Sequence, residues 1–311
     1  MPAPRATPLC LAREAMGTRF EFVLSAGDLD EVSLRAVGEE ALDEVVSLGE
    51  RLSWFSIGSV VSRLAAAAGA EPVRVAPDVF SLLTLSRQVW LGSAGAFDPT
   101  IAPLLRLWGL RGRVSEAPPT EEALAQARTR VGLDKLDLDP LACTARLGVP
   151  GMSLDLGAVA KGWALDAAAS MLRAAGVQTA LLHGGTSSIH GWGAPPGQRG
   201  WGVRVAPPPG SSAPPLTVLL CDASMSVSAP HGRRGVAGAG HVIDPRTGLP
   251  AGDAELACVL GPGGAACDAW STACLVLGER PPGLPEAWTT LLLRGGIWQV
   301  RGPQASCVSQ G

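Results

Sequence analysis

The sequence predicts an α+β domain. Segments with helical apolar spacing and short strand-like runs are mixed along the chain without a regular strand–helix–strand alternation. No internal repeat and no low-complexity tail interrupts them. The chain has 311 residues, 47% hydrophobic and only 17% charged, which is enough apolar material to fill a sizeable core.

The elements follow in order. Residues 18–24 have strand character, and residues 29–52 carry Leu34, Val37, Ala41, Val45, Leu48 and Leu52 at helical spacing with no proline between. A second helix begins at Pro77, a residue suited to a first turn, and runs toward Gly92. A third covers about 120–131. Residues 152–156 read as a short apolar strand turning at Gly157 into a helix that stops at Gly176. Residues 177–182 form a strand ending in Gly184-Gly185. The remainder is strand-rich, with runs at 201–206 and 216–221 and a terminal hairpin of 288–293 and 297–300 around Gly295-Gly296. Residues 195–200 and 207–215 are turn-rich loops too short to link domains.

Composition excludes some functions. A net charge of −3 and a pI near 5.8 give no general attraction to nucleic acid or to an anionic membrane surface. No run reaches the length of a membrane span, and the amino end lacks the apolar stretch of a secretory signal, so the chain as given reads as cytoplasmic. Its seven cysteines are odd in number and form no C-x-x-C pair, which predicts buried thiols in a reducing compartment. Asn and Tyr are absent, and only Lys135 and Lys161 stand among many arginines, as a GC-rich genome produces. Against that background a lysine in a glycine-rich turn stands out.

Four constellations carry chemistry. The first is Asp155-Leu-Gly-Ala-Val-Ala-Lys161-Gly162, where a strand turns into a helix. Glycine permits a tight turn, the first helical amides point outward and Lys161 adds a mobile charge, so the segment serves a phosphate-bearing ligand or, read alone, an ordinary capped turn. Its spacing is not that of a Walker A loop, which disfavours a nucleotide triphosphatase.

The second, His241-Val-Ile-Asp244-Pro-Arg246-Thr-Gly248, reads as a strand end entering a proline turn. It groups an imidazole able to take a proton with a carboxylate and a guanidinium able to grip a phosphate. The third, Asp268-Ala-Trp-Ser-Thr272, places two hard oxygen donors on one helical face; they suit Mg²⁺ but are too few to hold it alone, and the same pair serves as a helix cap. The fourth, Gly95-Ala-Phe97-Asp98-Pro-Thr100, sets a flat ring and an acid on a turn, fitted to a heteroaromatic ligand or to anchoring the core.

In this order, and together with Met16-Gly-Thr18, Ser53-Trp-Phe55, Ser59 to Leu64, Leu107-Trp-Gly109 and Gly184-Gly185, the segments resemble the ApbE family of FAD:protein FMN transferases. The resemblance implies a single domain of mixed sheets and helices, related to the T-fold, over residues 15–302. Residues 1–14 are then a flexible extension and 303–311 a tail. It implies FAD against Met16, Phe55, Ala96, Phe97, Asp98, Asp155, Lys161, Val242 and Ile243, and Mg²⁺ held by Asp268, Thr272 and the carbonyl of Ala158. It further implies that FMN passes from FAD to a Ser or Thr hydroxyl of an acceptor, a subunit of an electron-transfer flavoprotein, with release of AMP. Lys161 would absorb phosphoryl charge and His241 would take the hydroxyl proton, with Asp98 and Asp244 as the other candidates for that proton. An FAD pyrophosphatase and a non-catalytic FAD-binding protein are the alternatives. The chain departs from the family pattern at Ala65, at Thr186, at Val227-Ser228-Ala229 and at Phe55, where Tyr is common.

Overall fold

The fold is that of a computed structural model, which describes residues 8–25, 27, 29–112, 117–230, 236 and 240–310. In chain order the first part runs β1 (Leu9–Ala15), β2 (Thr18–Ser25), α1 (Glu31–Leu52), α2 (Val60–Ala66), β3 (Val73–Arg74), α3 (Pro77–Gly92), α4 (Ala102–Leu107), α5 (Glu121–Arg128), β4 (Leu136–Asp139) and β5 (Thr144–Leu147). The second runs α6 (Ala160–Ala174), β6 (Thr179–Gly184), β7 (Ser188–Trp192), β8 (Trp201–Val205), β9 (Leu216–Leu220), β10 (Ala223–Ser228), β11 (Leu256–Gly261), α7 (Gly264–Leu277), β12 (Thr289–Arg294), β13 (Ile297–Arg301) and β14 (Val308–Gln310).

Eight strands form one sheet in the order β1-β2-β6-β7-β10-β11-β12-β13, every neighbouring pair antiparallel. Strand alternation decides its faces. Phe20, Phe22 and Leu24 of β2 are fully buried against α1 and α6, while the intervening Val23 faces the other side. Each such fully buried side chain contributes about 2 kcal/mol. On β11 both faces are covered: Ala257 and Val259 join the core beneath α7, and Leu256, Cys258 and Leu260 pack with Val203, Val218 and Leu220 of a three-stranded sheet, β14-β9-β8. That double burial explains why β11 reads as an apolar run without alternation. A second small sheet, β3-β5-β4, lies in the α2–α3 region.

Local chemistry sets the helix boundaries. Asp30 caps α1 by accepting the Ser33 amide at 2.7 Å, Pro77 opens α3, and Thr120 caps α5, which ends at Arg128 and is shorter than its sequence pattern. Residues 152–156 are extended and carry the buried Met152 and Leu154, yet they form no strand. Their recorded link to the 95–100 loop is the Asp155 amide donating to Pro99 at 2.7 Å, and one bond is not a ladder. Residues 241–248 likewise form no strand; Ile243 bridges only to Pro250.

The ends of the fold also differ from expectation. Residues 9–15, assigned in sequence to a flexible extension and its border, pair along their whole length with β2 as β1. Residues 308–310 of the supposed tail pair with β9. Residues 1–7 of that extension and residue 311 lie outside the described residues. All seven cysteines are unpaired, but only Cys258, Cys267 and Cys274 are buried, and Cys10 and Cys221 are exposed. No helix among the described residues is long and apolar enough to cross a membrane.

Candidate functional site

The sheet brings α6 and α7 side by side, and two glycines let them touch. A Cβ on Gly162 would lie 2.2 Å from the backbone of Gly264, so only glycine permits this approach. Each helix then ties the first turn of the other. Asp166 on α6 accepts the Gly264 and Ala265 amides at 2.6 and 2.9 Å. Asp268 on α7 accepts the Gly162 amide at 2.7 Å. That amide belongs to the first turn of α6 and has no acceptor within the helix, so Asp268 caps it; Ala158 precedes the N-cap Val159, and its carbonyl lies outside the helical ladder.

Asp268 is 3% exposed and also accepts the Ser188 hydroxyl at 2.8 Å. Burial pushes its carboxyl upward, and the charge of Lys161 with hydrogen bonds from Ser226, Ser188 and Gly162 pulls it back. Thr272, one turn further, donates its hydroxyl to the Asp268 carbonyl at 3.1 Å, and the Ser228 hydroxyl lies 3.4 Å from it and 2.8 Å from the Ser271 hydroxyl. Ala158, Asp268 and Thr272 line one cleft of about 490 Å³, a volume usual for small-ligand sites. Among the described residues no cluster of three or more His, Cys, Asp or Glu side chains forms. The donors here are instead one carboxylate, one hydroxyl and one carbonyl, all hard oxygens, and they fit a small oxygen-preferring divalent cation such as Mg²⁺.

The opposite wall comes from the 95–100 loop and the segment at 241–245. Asp98 caps the short 3-10 turn Pro99–Ile101, accepting the Thr100 amide at 2.8 Å and its hydroxyl at 2.6 Å. Burial raises Asp98 to about 6, against the lowering effect of hydrogen bonds from Thr100, Leu133 and Trp90. Trp108 donates its indole N–H to the Gly248 carbonyl at 2.8 Å, and Ile243 packs on Leu104 and Leu105, so α4 supports the histidine segment from below. His241 Nδ1 lies 3.2 Å from the Pro230 carbonyl; a carbonyl only accepts, so Nδ1 is the donor of that pair.

Of the sequence-predicted residues, Met16, Ala96, Phe97, Asp98, Asp155, Ala158, Lys161, His241, Val242, Ile243, Asp268 and Thr272 line this cleft. Phe55 does not. It is 75% exposed and stacks on Trp54 with ring centroids 3.9 Å apart. Two further members of the histidine constellation also stay out of the cleft. Arg246 grips Asp244 through Nε and Nη2 at 2.9 and 2.7 Å, and it borders a neighbouring groove with Trp90 and Gly95. The guanidinium that the sequence offered to a phosphate is therefore spent on its own turn. Among the departures from the family pattern, Thr186, Val227, Ser228 and Ala229 all line the cleft, while Ala65 sits on α2 away from it.

Sequence reasoning missed two residues. Arg111 lines the cleft and donates Nε to Asp155 at 2.5 Å, 44 positions away. Asp166, described above, lies 3.7 Å from Nδ1 of the buried His190. Asp166 lies four residues past the Asp155 to Gly162 constellation, and nothing local signalled Arg111.

Known proteins resemble this chain in sequence and fold. The ApbE family pattern matches residues 16–284. Over 287 residues the chain is 31% identical to an FAD:protein FMN transferase of Rhodobacter capsulatus, the match spanning 88% of this chain and 53% of that protein, about half its length. Over 260 residues it is 33% identical to an FAD:protein FMN transferase of Treponema pallidum, spanning 76% and 71% of the two chains. The crystal structure of an ApbE protein from Thermotoga maritima has the same fold, with a TM-score of 0.84 at 24% identity over 96% of this chain and 98% of that one. A pattern match across most of the chain and a relative one-third identical over most of its length place it: the chain belongs to the ApbE family.

Proposed function

We propose that the chain is a Mg²⁺-dependent FAD:protein FMN transferase. The observation that carries this reading is the convergence of Lys161, His241, Asp268 and Thr272 on one cleft, from three separate segments of the chain. Relatives bearing that enzyme name support it.

The residues divide the work. The α6 turn and Lys161 receive the pyrophosphate of FAD, with Lys161 countering charge that grows on the phosphoryl oxygens. Asp268, Thr272 and the Ala158 carbonyl would hold Mg²⁺, which when bound supplies further neutralisation of those oxygens. Phe97, Val242 and Ile243 give the flavin a flat apolar wall, and Met16 and Ala96 border it. A serine or threonine hydroxyl of the acceptor attacks the FMN-side phosphorus. The new P–O bond forms as the anhydride P–O bond breaks, and AMP departs with the bridging oxygen. The hydroxyl proton goes to the imidazole of His241. Asp98 lines the cleft but has Thr100 on its carboxylate, and Asp244 is held by Arg246, so both are weaker candidates for that proton.

The acceptor is read as a subunit of an electron-transfer flavoprotein. Seven unpaired thiols support a reducing, cytoplasmic setting. The test mixes the chain with FAD, Mg²⁺ and an acceptor of that class and follows intact mass. An added FMN phosphoester with release of AMP, abolished by chelation, is the expected result; FMN and AMP with the acceptor unmodified would replace transfer by hydrolysis.

A further inference from the structure

We infer that Arg111 is a second cationic contact for the pyrophosphate of FAD, aimed by Asp155; the inference rests on the FAD reading above and extends it to a residue no motif marked.

Six observations place the guanidinium. It lines the cleft with Lys161, Gly157 and Ala158. Its side chain is 18% exposed, so it is ordered against the wall rather than waving in solvent. Nε is fixed on Asp155 Oδ2 at 2.5 Å, and Asp155 is itself fixed because its Oδ1 accepts the Gly157 amide at 2.8 Å. The Trp54 ring lies 5.8 Å from the guanidinium carbon on a further side. Nη2 reaches over Gly157 to within 3.3 Å of where a Cβ would stand there, at the turn that leads into the first turn of α6. Nη1 has a long contact of 3.4 Å to the Leu110 carbonyl, and among the described residues Nη2 has no hydrogen-bond partner. A fork held at one nitrogen, with the others toward a phosphate-sized turn, is preorganised for an anion.

Charge balance requires such a group. Three carboxylates line the cleft, Asp98, Asp155 and Asp268, and the pyrophosphate of FAD brings two more negative charges. Lys161 and the Mg²⁺ proposed above together leave part of that excess uncompensated in a partly buried site. Arg111 neutralises Asp155 in the empty cleft and faces the ligand when it arrives. Asp155 is thereby a positioning residue for Arg111, and the glycine at 157 keeps the space between guanidinium and turn open.

The test measures FAD and riboflavin affinity by flavin fluorescence, with chelator present so that nothing turns over, for the wild type, Arg111→Gln and Arg111→Lys. Riboflavin carries the ring system without phosphate. Arg111→Gln is expected to weaken FAD roughly 10- to 100-fold, the range for a lost charge-assisted contact, while riboflavin changes by less than about 2-fold. Arg111→Lys should recover part of the loss, since it restores charge without the fork. Unchanged FAD affinity in Arg111→Gln overturns the inference. So does an equal loss for both flavins, which would make Arg111 a prop for the wall. A wild type that binds neither flavin would instead sink the FAD reading itself.

Discussion

Asp268 and Gly162 are 106 positions apart, and the carboxylate of one accepts the backbone amide of the other at 2.7 Å. One bond thus closes the crossing of α6 and α7 and caps an amide of the first turn of α6. The carboxylate proposed to bind metal also fixes the turn next to the other proposed ligand, the Ala158 carbonyl.

Burial pushes the Asp268 carboxyl upward, so replacing it should separate stability from activity. Asp268→Asn keeps an oxygen for the Gly162 amide and removes the ionisable group. Adduct formation is expected to fall at least ~100-fold, while the melting temperature without Mg²⁺ equals or exceeds that of the wild type. Transfer at the wild-type rate would remove Asp268 from the metal site.

Gly162→Ala places a methyl 2.2 Å from the Gly264 backbone, where no flexible side chain can yield. Separating the helices should cost about 3 kcal/mol, read from the urea midpoint, and should abolish turnover. Gly202→Ala is the control: its Cβ would meet only Thr217, at 3.9 Å, and stability should change by less than ~1 kcal/mol. Equal behaviour of the two variants would contradict the close crossing.

Asp98 gives the protein a pH dependence of defined sign. Its folded value of about 6 lies above the ordinary 3.8, so the folded chain keeps a proton that the unfolded chain releases. The stability this supplies is complete below about pH 4 and is lost as pH rises through about 6, a total on the order of 3 kcal/mol. The unfolding free energy of wild type minus that of Asp98→Asn should therefore fall between pH 4 and 6.5. A flat difference would mean that the carboxyl is not desolvated.

Phe55 stands outside the cleft wall, and its role is decided by the contrast between folding and binding. At 75% exposure, Phe55→Ala should leave stability within about 0.5 kcal/mol. If the ring meets bound flavin, FAD affinity should drop roughly 5-fold, the worth of one aromatic contact. Unchanged affinity would remove Phe55 from the binding residues.

Much of this was legible in local sequence. The spacing of Asp268 and Thr272 fixes a shared helical face, and the turn before Lys161 is written in its glycine and its acid. Pairings across the fold left no such trace. Arg111 meets Asp155, and Asp166 meets Gly264, only because the sheet order brings their segments together. The strand expected at 152–156 failed for the converse reason: apolar content marks burial, and burial without a neighbouring strand is not a ladder. β1 was unread because its single partner covers one edge and leaves most of its side chains exposed, so Cys10, Arg13 and Glu14 mask the pattern.

β1 is also where a shortened polypeptide would go wrong. A chain begun at Met16, where the family match starts, would lose the seven residue pairs that close the border of β2. It would also lose Arg13, which meets Asp43 of α1 at 2.6 Å, and Leu11, whose side chain lies against Gly38. The bare amides and carbonyls of β2 would then be free to recruit the same strand of another copy, and a protein trimmed to its homologous core should self-associate where the longer one stays dispersed.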